Sequence, residues 1–351
     1  MKPRILMMGI TPPEEGGSER HIYEISSRIY ESVVLTQKGS SCKKKIELPV
    51  LRLGNFIRNI SFFLMTLIFS CYLLVKPERK YEIVHIHENL LYLLAPLLRL
   101  RYKVIVTVHG ITGFSFYDNK FLWFFFRTGL KGANEIISVS LADKENLDKE
   151  FKNVKYIPNG VDLLEYKKIG KLEIDKKITF LGRIHKQKGL LFLLEAFEEF
   201  LKVYPDYNLQ IIGKTEGDYY ELLSKKFRSD KLVWRGFISD RKKIFSELAS
   251  SKAIVFPSLW EALPWPALLE GLASGRPVIA SDLKGMRNVF SDNEIVLVEP
   301  GNSKALAREL KRVVRDKELS NKLGVFGKKK AQIFSWANLA KRVGHEYESI
   351  I

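Results

Sequence analysis

The sequence contains only two cysteines, Cys42 and Cys71, in 351 residues. This pair has no metal-ligand spacing and cannot form a disulfide framework, which excludes the small disulfide-stapled scaffolds and favours a reducing compartment. The first residues, MKPRILMMG, have the pattern of a strand, so no secretory signal peptide is expected in front of it. We therefore expect a cytoplasmic protein.

Motifs that would commit the chain to a metal, a nicotinamide cofactor or a nucleic acid are also missing. There is no HExxH, no HxE…CxxC and no DxD triad, so we expect no obligate metal, and the GxGxxG fingerprint of dinucleotide binding is absent. The formal net charge of +17 attracts anions. It is spread over both halves of the chain, and no compact basic and aromatic module accompanies it. Nucleic acid is therefore not an expected partner.

Strand patterns alternate with helical patterns along the whole chain, which predicts parallel sheets covered by helices. The first series of predicted strands comprises Arg4–Gly9, Ser32–Thr36, Ile83–His87, Val104–His109 and Glu135–Val139. The second comprises Ile178–Gly182, Leu209–Ile212, Leu232–Arg235, Ala253–Pro257, Pro277–Ala280 and Ile295–Val298. A polar stretch between the two series predicts a linker near 165–175. The fold class is thus α/β, with two Rossmann-like domains whose parallel sheets face a central cleft.

Two segments are unusually apolar. Residues 59–75 carry no charge and are flanked by Arg58 and Lys76, while residues 121–126 read FLWFFF. The length of the first is at the short limit for crossing a bilayer. Both can also be helices packed in a domain core. We expect a helix that is partly buried and partly pressed into a membrane surface, with basic flanks near lipid phosphates.

Two carboxylates flank a loop with two prolines in the run from Val255 to Asp282. Glu261 precedes this loop, and Glu270 lies in the helix after it. In open α/β folds such a loop lies at the carboxyl edge of the sheet, where ligands bind. The two glutamates can accept hydrogen bonds from a sugar or a ribose, or they can be helix-capping and surface carboxylates.

Two further loops have the pattern of phosphate sites. Gly16 and Gly17 stand between the first strand and a helix, where the backbone can approach a ligand. In FLGRIHKQKG, a strand ends at Gly182, and Arg183 and Lys188 follow. Two cations at this edge are placed to neutralise a diphosphate. The alternative is two solvated basic side chains in a lysine-rich protein.

His109 closes the strand pattern VIVTVH, where a sheet would open onto a ligand site. A histidine there can bind a substrate hydroxyl or transfer a proton, and it can equally be a structural residue that ends the strand. His85 and His87 in IVHIHEN are less informative, although His87 lies nearer the strand end.

Taken in order, five motifs resemble glycosyltransferase family 4, whose members are retaining enzymes with the GT-B fold. They are Gly16–Gly17, VTVHG at 106–110, YIPNGVD at 156–162, FLGRIHKQKG at 180–189 and PSLWEALPWPALLEGLASGRPVIASD at 257–282. The resemblance covers nearly the whole chain. It implies an acceptor-side domain at 1–165, a nucleotide-sugar-binding domain at 166–333, and a helix at 334–351 that returns to the first domain.

The resemblance also implies roles for individual residues. Arg183 and Lys188 would bind the donor diphosphate, Glu270 would hold the ribose, and Glu261 the donor sugar. The catalytic residues would be His109, Arg183, Lys188 and Glu261. Gly16 and Gly17 would lie against phosphates, His109 would contact the sugar, and Gly182, Ala262 and Leu263 would complete the donor site. The family has seven residues between its two glutamates, whereas this chain has eight, and its usual glycine is absent from 262–265.

The implied reaction transfers a hexose from a UDP- or GDP-sugar with retention of anomeric configuration and without an obligate metal. A lipid-linked or surface glycan is the expected acceptor, handled at the cytoplasmic membrane face. The alternatives are a non-catalytic GT-B subunit that binds sugar nucleotide, and a sugar-nucleotide epimerase on the same fold.

Overall fold

The computed structural model describes residues 3–12, 17–29, 31–51, 53–110, 119–163, 166, 172–215, 217–261 and 263–351. It divides the chain into two compact units. The first comprises Met1–Asn159 with Trp336–Ile351, and the second comprises Gly160–Ser335. The predicted linker at 165–175 lies partly outside the described residues, and the division between the units precedes it.

A seven-stranded sheet forms the centre of the first unit. Its strands are β1 (Ile5–Met8), β2 (Ser32–Gln37), β3 (Lys45–Leu48), β4 (Ile83–Ile86), β5 (Lys103–Val108), β6 (Glu135–Ser138) and β7 (Val154–Tyr156). All neighbours are parallel, in the order β3-β2-β1-β4-β5-β6-β7. β1 and β4 are buried on both faces, which explains their continuous apolar sequences.

Helices cover both faces of this sheet. They are α1 (Gly17–Ser26), α2 (Asn55–Val75), α3 (Ala95–Leu98), α4 (Lys120–Lys131) and α5 (Leu141–Leu147), with a 3-10 helix at Leu90–Leu94. α2 and α4 pack in the same core cluster as Leu6 and Val84. Their neighbours in sequence, Ile5 and Ile83, face the other side and pack with α1. α2 and α4 therefore cover the same face of the sheet.

A six-stranded sheet forms the centre of the second unit. Its strands are β8 (Lys177–Leu181), β9 (Asn208–Ile212), β10 (Leu232–Gly236), β11 (Ala253–Phe256), β12 (Val278–Ser281) and β13 (Val296–Val298), all parallel in the order β10-β9-β8-β11-β12-β13. Its helices are α6 (Leu190–Leu201), α7 (Tyr219–Lys226), α8 (Arg241–Ala249), α9 (Pro266–Ala273), α10 (Met286–Val289), α11 (Ser303–Arg315) and α12 (Lys317–Ile333), with a 3-10 helix at Lys186–Lys188.

The predicted α/β class with two parallel Rossmann-like sheets is confirmed. Every strand in the two predicted series is present, with its ends within about one residue of the prediction. Two strands were not predicted, β3 and β7, which lie at the two edges of the first sheet. β3 is mostly exposed and carries Lys45 and Glu47, so it lacks the apolar run that reveals a buried strand.

The last helix, α13 (Trp336–Ser349), belongs to the first unit. It buries Trp336, Leu339, Val343 and Tyr347 in the core cluster that contains Ile5 and Ile105. The first unit is therefore assembled from two separate parts of the chain.

α2 has its polar and apolar surfaces in an unusual arrangement. Its inward face includes Thr66 and Ser70, whose hydroxyls donate to the carbonyl oxygens of Phe62 and Thr66, both at 2.7 Å. After Asn55, its exposed side chains are apolar or aromatic, apart from one cysteine, as far as Val75. By length and composition α2 could cross a membrane: an 18-residue window has mean hydropathy 1.7, and 28% of that window is buried in the protein.

Candidate functional site

The loop that follows β8 places two basic side chains at the carboxyl edge of the second sheet. Gly182 and Arg183 come directly after the strand, and Lys188 ends the 3-10 helix. Gly189 then adopts φ 63°, and a Cβ at this position would lie 1.9 Å from the carbonyl oxygen of Pro257. Only glycine permits this approach, so the basic loop is held against the segment that follows β11.

Hydrogen bonds from one residue, Gln187, join these two loops. Its carbonyl oxygen accepts from Leu259 N at 2.8 Å, and its Nε2 donates to the carbonyl oxygen of Trp260 at 2.9 Å. Its Oε1 accepts from Arg183 Nη2 at 3.3 Å. The predicted diphosphate loop and the predicted sugar loop therefore form one hydrogen-bonded arrangement.

Lys188 and Glu261 form an ion pair within this arrangement. Their side chains are only 14% and 7% exposed. Glu261 Oε1 also accepts a hydrogen bond from Ser258 Oγ at 2.9 Å. Each charge is removed from water and depends on the other, so the loss of one would leave the other buried without a counter-charge.

Glu270 lies on α9 and is 6% exposed. Its carboxylate pairs with Arg241, the first residue of α8, and the Arg241 guanidinium lies 4.8 Å from the Phe245 ring. The carbonyl oxygen of Glu270 accepts from the Tyr166 hydroxyl at 2.6 Å. Glu270 is thus fixed on both its main chain and its side chain, and Arg241 is a partner that the sequence did not reveal.

Two helices begin beside these residues without a side-chain cap. α6 starts after Gly189 and α9 after Trp265, and neither residue's side chain binds a first-turn N–H group. Such helix ends attract anions through their N–H groups and the helix dipole.

The other predicted donor residues differ in what the structure shows. Gly16 and Ala262 lie outside the described residues. Leu263 is 4% exposed, and its side chain packs in the core of the second unit, so only its main chain could contact a ligand. Gly17 is the first residue of α1, and a Cβ there would meet no atom within 4 Å. Nothing in the described protein itself requires glycine at this position.

His109 belongs to a cluster of four histidines on the α1 side of the first sheet. His85 and His87 project from the same face of β4 and its end because side chains alternate along a strand. Their ring centroids are 4.1 Å apart, and His87 lies 5.5 Å from His109. His21, from α1, lies 4.9 Å from His109.

Hydrogen bonds connect these rings to their surroundings. His87 Nδ1 lies 3.2 Å from His109 Nε2, and His21 Nδ1 lies 3.1 Å from Asn159 Oδ1. His85 is held at both nitrogens, by the hydroxyl of Tyr347 at 2.6 Å and by that of Thr107 at 2.7 Å. Although four histidines lie together, no three His, Cys, Asp or Glu side chains in the described ranges are placed to hold a metal ion.

Burial lowers the pKa of every histidine in the cluster. The pKa of His21 falls to about 4, and those of His85, His87 and His109 fall well below the usual value because the rings are shielded from water. The cluster is therefore uncharged at neutral pH. His109 can donate or accept a hydrogen bond but does not carry a positive charge there.

Glu88 is a titratable group that the sequence did not single out. It follows β4 at the carboxyl edge of the first sheet, and its Oε1 accepts from Ile10 N at 3.4 Å. Burial and the neighbouring Glu19 carboxylate raise its pKa to about 7. Its position two residues beyond a buried strand was the only sequence signal available.

The structure brings Arg183, Lys188, Glu261 and Glu270 to the carboxyl edge of the second sheet, and His109 and Gly17 to that edge of the first. Two parallel Rossmann-like units, the second with basic loops and buried carboxylates at this edge, are the architecture of the GT-B class.

Comparison with known proteins identifies the family. Residues 15–164 match the model for Glycosyltransferase Family 4, and residues 164–330 match Glycosyl transferases group 1. The UDP-Gal:alpha-D-GlcNAc-diphosphoundecaprenol alpha-1,3-galactosyltransferase of Escherichia coli is 30% identical over 319 residues, which cover 82% of this chain and 79% of that enzyme. The chain belongs to glycosyltransferase family 4.

Two further proteins are similar over part or all of the chain. The phosphatidyl-myo-inositol mannosyltransferase of Mycobacterium leprae is 29% identical over 201 residues, 55% of this chain and 53% of that enzyme. The crystal structure of Anabaena HepE in complex with UDP superposes with a TM-score of 0.79 at 15% identity, covering 99% of this chain and 100% of HepE. The last comparison shows a shared fold.

Proposed function

We propose that this glycosyltransferase moves a hexose from a nucleoside diphosphate sugar to a lipid-linked or surface-glycan acceptor, with retention of anomeric configuration and without a metal ion. The observation that carries the proposal is the buried Lys188–Glu261 pair. It sets a cation for a diphosphate beside a carboxylate for sugar hydroxyls, which are the two groups that adjoin in such a donor.

Each donor group has a residue assigned to it in this proposal. Glu270, held by Arg241, accepts from the ribose hydroxyls. Arg183 and Lys188 bind the diphosphate together with the uncapped ends of α6 and α9. Glu261 and the main chain of Ala262 and Leu263 bind the hexose. Two residues of the first unit are also assigned: Gly17 to the phosphates and His109 to the hexose.

The reaction requires charge stabilisation more than a nucleophile. The bond between the anomeric carbon and the diphosphate oxygen breaks, and the acceptor oxygen bonds to the same face of that carbon. The acceptor proton passes to the departing diphosphate. Arg183 and Lys188 stabilise the negative charge that develops on this leaving group, which is the role that a divalent cation has in other enzymes.

A UDP-hexose is the donor that the relatives favour. The E. coli relative is named for UDP-Gal, and HepE was crystallised with UDP and with UDP-glucose. The same E. coli enzyme is named for a diphosphoundecaprenol acceptor, and the mycobacterial relative for phosphatidyl-myo-inositol. Both acceptors are lipids, which supports a lipid-linked acceptor here.

The outward face of α2 supports contact with a membrane. Seven residues form what we call the apolar stripe: Ile57, Ile60, Leu64, Ile68, Cys71, Tyr72 and Val75. Ile68 is 63% exposed and Val75 is 79% exposed. A helix on a protein surface ordinarily turns polar residues to water. The reversed arrangement in α2 indicates that its outer surroundings are apolar.

α4 extends this surface on the same face of the sheet. Phe121, Leu122, Phe124 and Phe125 are exposed, while Phe126 and Leu130 are buried. Both helices contact the 3-10 helix at Leu90–Leu94, so α4 adds a second exposed apolar surface on the face of the sheet that α2 covers.

The charges of these helices support anionic lipid as the proposed occupant. No Asp or Glu occurs in 48–77 or in 119–134, whereas Arg58, Lys76, Lys120, Arg127 and Lys131 do. Arg127 forms an ion pair with Glu150, a residue outside these stretches. Apolar helices whose own charged residues are all basic suit the interface of a bilayer whose headgroups are negative. α2 connects strands of one sheet and packs Phe62 and Leu73 in its core. We therefore propose that it lies in the membrane surface and does not cross it.

Calorimetric titration with UDP, GDP and ADP tests the donor site. We expect micromolar binding of UDP by the wild type and its loss in Glu270→Gln. The matched control is Glu199→Gln, which removes an ion-paired carboxylate on α6. Binding of GDP alone would change the donor class. Failure of the folded wild type to bind any nucleotide would contradict the donor assignment.

A transfer assay tests the reaction itself. With UDP-hexose and a short-chain diphosphate-linked sugar acceptor, we expect a product of unchanged anomeric configuration by NMR, formed equally in the presence of EDTA. Slow hydrolysis of donor in the absence of acceptor separates an enzyme from a non-catalytic binding subunit. The eight-residue spacing between Glu261 and Glu270 is the feature that favours such a subunit. Inversion, or dependence on a divalent cation, would contradict the mechanism.

Vesicle flotation tests the membrane surface. We expect binding to vesicles that contain phosphatidylglycerol, weaker binding to pure phosphatidylcholine, and loss of binding in Leu64→Glu/Ile68→Glu and in Phe124→Ser/Phe125→Ser. The control is Leu222→Glu/Val325→Glu, which alters two exposed apolar residues of the second unit. Equal flotation of all variants would contradict this surface, and a dimer dissociated by the α2 changes would identify a second copy as its occupant.

A further inference from the structure

The hydrogen bond between His87 and His109 couples the protonation of the two rings. His87 Nδ1 and His109 Nε2 are 3.2 Å apart. A hydrogen bond between two ring nitrogens requires an N–H on one and a lone pair on the other. Burial lowers the pKa of both residues, so both rings are neutral, and each carries one proton.

Only two arrangements satisfy this requirement. If His87 Nδ1–H donates, the proton of His109 lies on Nδ1, and His109 presents an N–H from that atom. If His109 Nε2–H donates, its Nδ1 is a bare lone pair, and the proton of His87 lies on Nε2. His109 Nδ1 is buried and has no hydrogen-bond partner among the described residues, which do not include 111–118. It is the atom of this ring left for a ligand.

His21 favours the first arrangement. The carbonyl oxygen of the Asn159 side chain accepts from His21 Nδ1 at 3.1 Å, so this neutral ring has its proton on Nδ1 and a bare Nε2. The His21 ring lies nearer to His109, at 4.9 Å between centroids, than to His87, at 5.6 Å. Neither His21 Nε2 nor His109 Nδ1 has a hydrogen-bond partner among the described residues, so the preference is electrostatic: in rings whose centroids are 4.9 Å apart, an N–H on His109 Nδ1 is favoured over a second bare lone pair.

We propose that His87 is a positioning residue: by donating from Nδ1 to His109 Nε2, it holds His109 in the tautomer that presents Nδ1–H to an oxygen of the donor sugar. The catalytic part of this inference rests on the proposed function, because only there does His109 contact substrate. The tautomer itself is a property of the protein alone. A fixed N–H holds a hydroxyl oxygen of the sugar in one orientation, whereas a mixture of tautomers would donate to it in only part of the molecules.

Nitrogen-15 NMR of histidine-labelled protein reads the tautomer directly. The chain has only six histidines, and each ring gives separate signals for its protonated and bare nitrogens. We expect His109 to be protonated at Nδ1 in the wild type and to lose this single state in His87→Leu. His87→Asn should restore it, because its side-chain amide can donate from a similar position. His345→Leu, an exposed histidine of α13, is the control.

Kinetics supply the second readout. We expect kcat to fall about tenfold or more in His87→Leu with little change in donor KM, and to recover in His87→Asn. A purely structural role would reduce the stability of both variants without this recovery. His109 protonated at Nε2 in the wild type would overturn the inference. Nδ1 protonation in a wild type that neither hydrolyses nor transfers any donor would contradict the proposed function and leave the tautomer assignment standing.

Discussion

Gly189 lies so close to Pro257 that the loops after β8 and β11 are in main-chain contact. A Cβ on Gly189 would be 1.9 Å from the Pro257 carbonyl oxygen. The contact has two requirements, a left-handed backbone at φ 63° and the absence of a side chain. It positions Lys188 next to Glu261, and it can be tested separately from any reaction.

Gly189→Ala should destabilise the protein by more than about 2 kcal/mol, because alanine adds left-handed strain and displaces the Pro257 loop. Gly217→Ala is the control: Gly217 has φ 60°, but a Cβ there would meet nothing within 4 Å, so only the strain of about 1 kcal/mol is expected. Urea unfolding measures both free energies. Equal losses would show that the contact with Pro257 has no energetic consequence.

Lys188→Met should lower turnover by about 10²-fold, because it removes a cation from the departing diphosphate. It should also destabilise the protein, since Glu261 remains buried without its partner. Lys188→Met/Glu261→Gln should recover the stability but not the turnover. Lys186→Met, in the same loop but exposed, should change neither. Recovery of turnover in the double variant would show that Lys188 serves only to neutralise Glu261.

Gly17→Ala should weaken donor binding roughly tenfold, about 1.4 kcal/mol, while leaving the fold intact. The protein has open space for the added methyl group, and alanine is the better residue in a helix. The melting temperature should therefore be unchanged or slightly higher. An unchanged dissociation constant in calorimetry would remove Gly17 from the donor site.

Gly132→Ala should disturb the placement of α4. A Cβ at Gly132, the residue after that helix, would lie 2.2 Å from Pro96 N. We expect a loss of 2 kcal/mol or more, roughly that of overpacking. Gly344→Ala, within α13 where a Cβ meets nothing within 4 Å, should instead stabilise by about 0.5–1 kcal/mol. Chemical unfolding of the two variants should give changes of opposite sign in the free energy of unfolding. An unchanged free energy in Gly132→Ala would contradict the close packing of α4.

Glu135 should make stability depend on pH. Burial and the neighbouring Glu346 carboxylate raise its pKa to about 7. The folded protein then keeps a proton that the unfolded chain releases, so this group's contribution to stability falls as the pH rises from about 4.5 to 7. Over that pH range, the free energy of unfolding of Glu135→Gln should rise relative to that of the wild type by on the order of 2 kcal/mol. The control is the exposed Glu348→Gln, whose free energy of unfolding should vary with pH in parallel with that of the wild type. A Glu135→Gln curve that also runs parallel to the wild-type curve would rule out the raised pKa of Glu135.

The sequence was sufficient for the buried strands because each is a short apolar run followed by a turn. It was insufficient for β3 and β7, whose edge positions leave one side without a strand neighbour and tolerate polar residues. The linker prediction rested on polarity between 156 and 177, and the division between the units is set instead by where packing changes, after Asn159.

At the site, residue types and loop positions were predictable, but pairing was not. Lys188 and Glu261 are far apart in sequence and meet because β8 and β11 are neighbours in the sheet. Arg241 reaches Glu270 because α8 and α9 pack in the same core cluster. His87 was visible as one of two alternating histidines, yet its partner His109 belongs to the next strand, so their contact required the strand register.

The placement of α13 has a consequence for biosynthesis. A ribosome delivers residues 160–335 before Trp336–Ser349, although the helix completes the core of the unit that was synthesised first. The second unit is continuous in the chain and can close its core while the first still exposes the sheet face that α13 will cover. We therefore expect folding of this chain to depart from the usual order, in which the domain nearest the amino terminus is finished first.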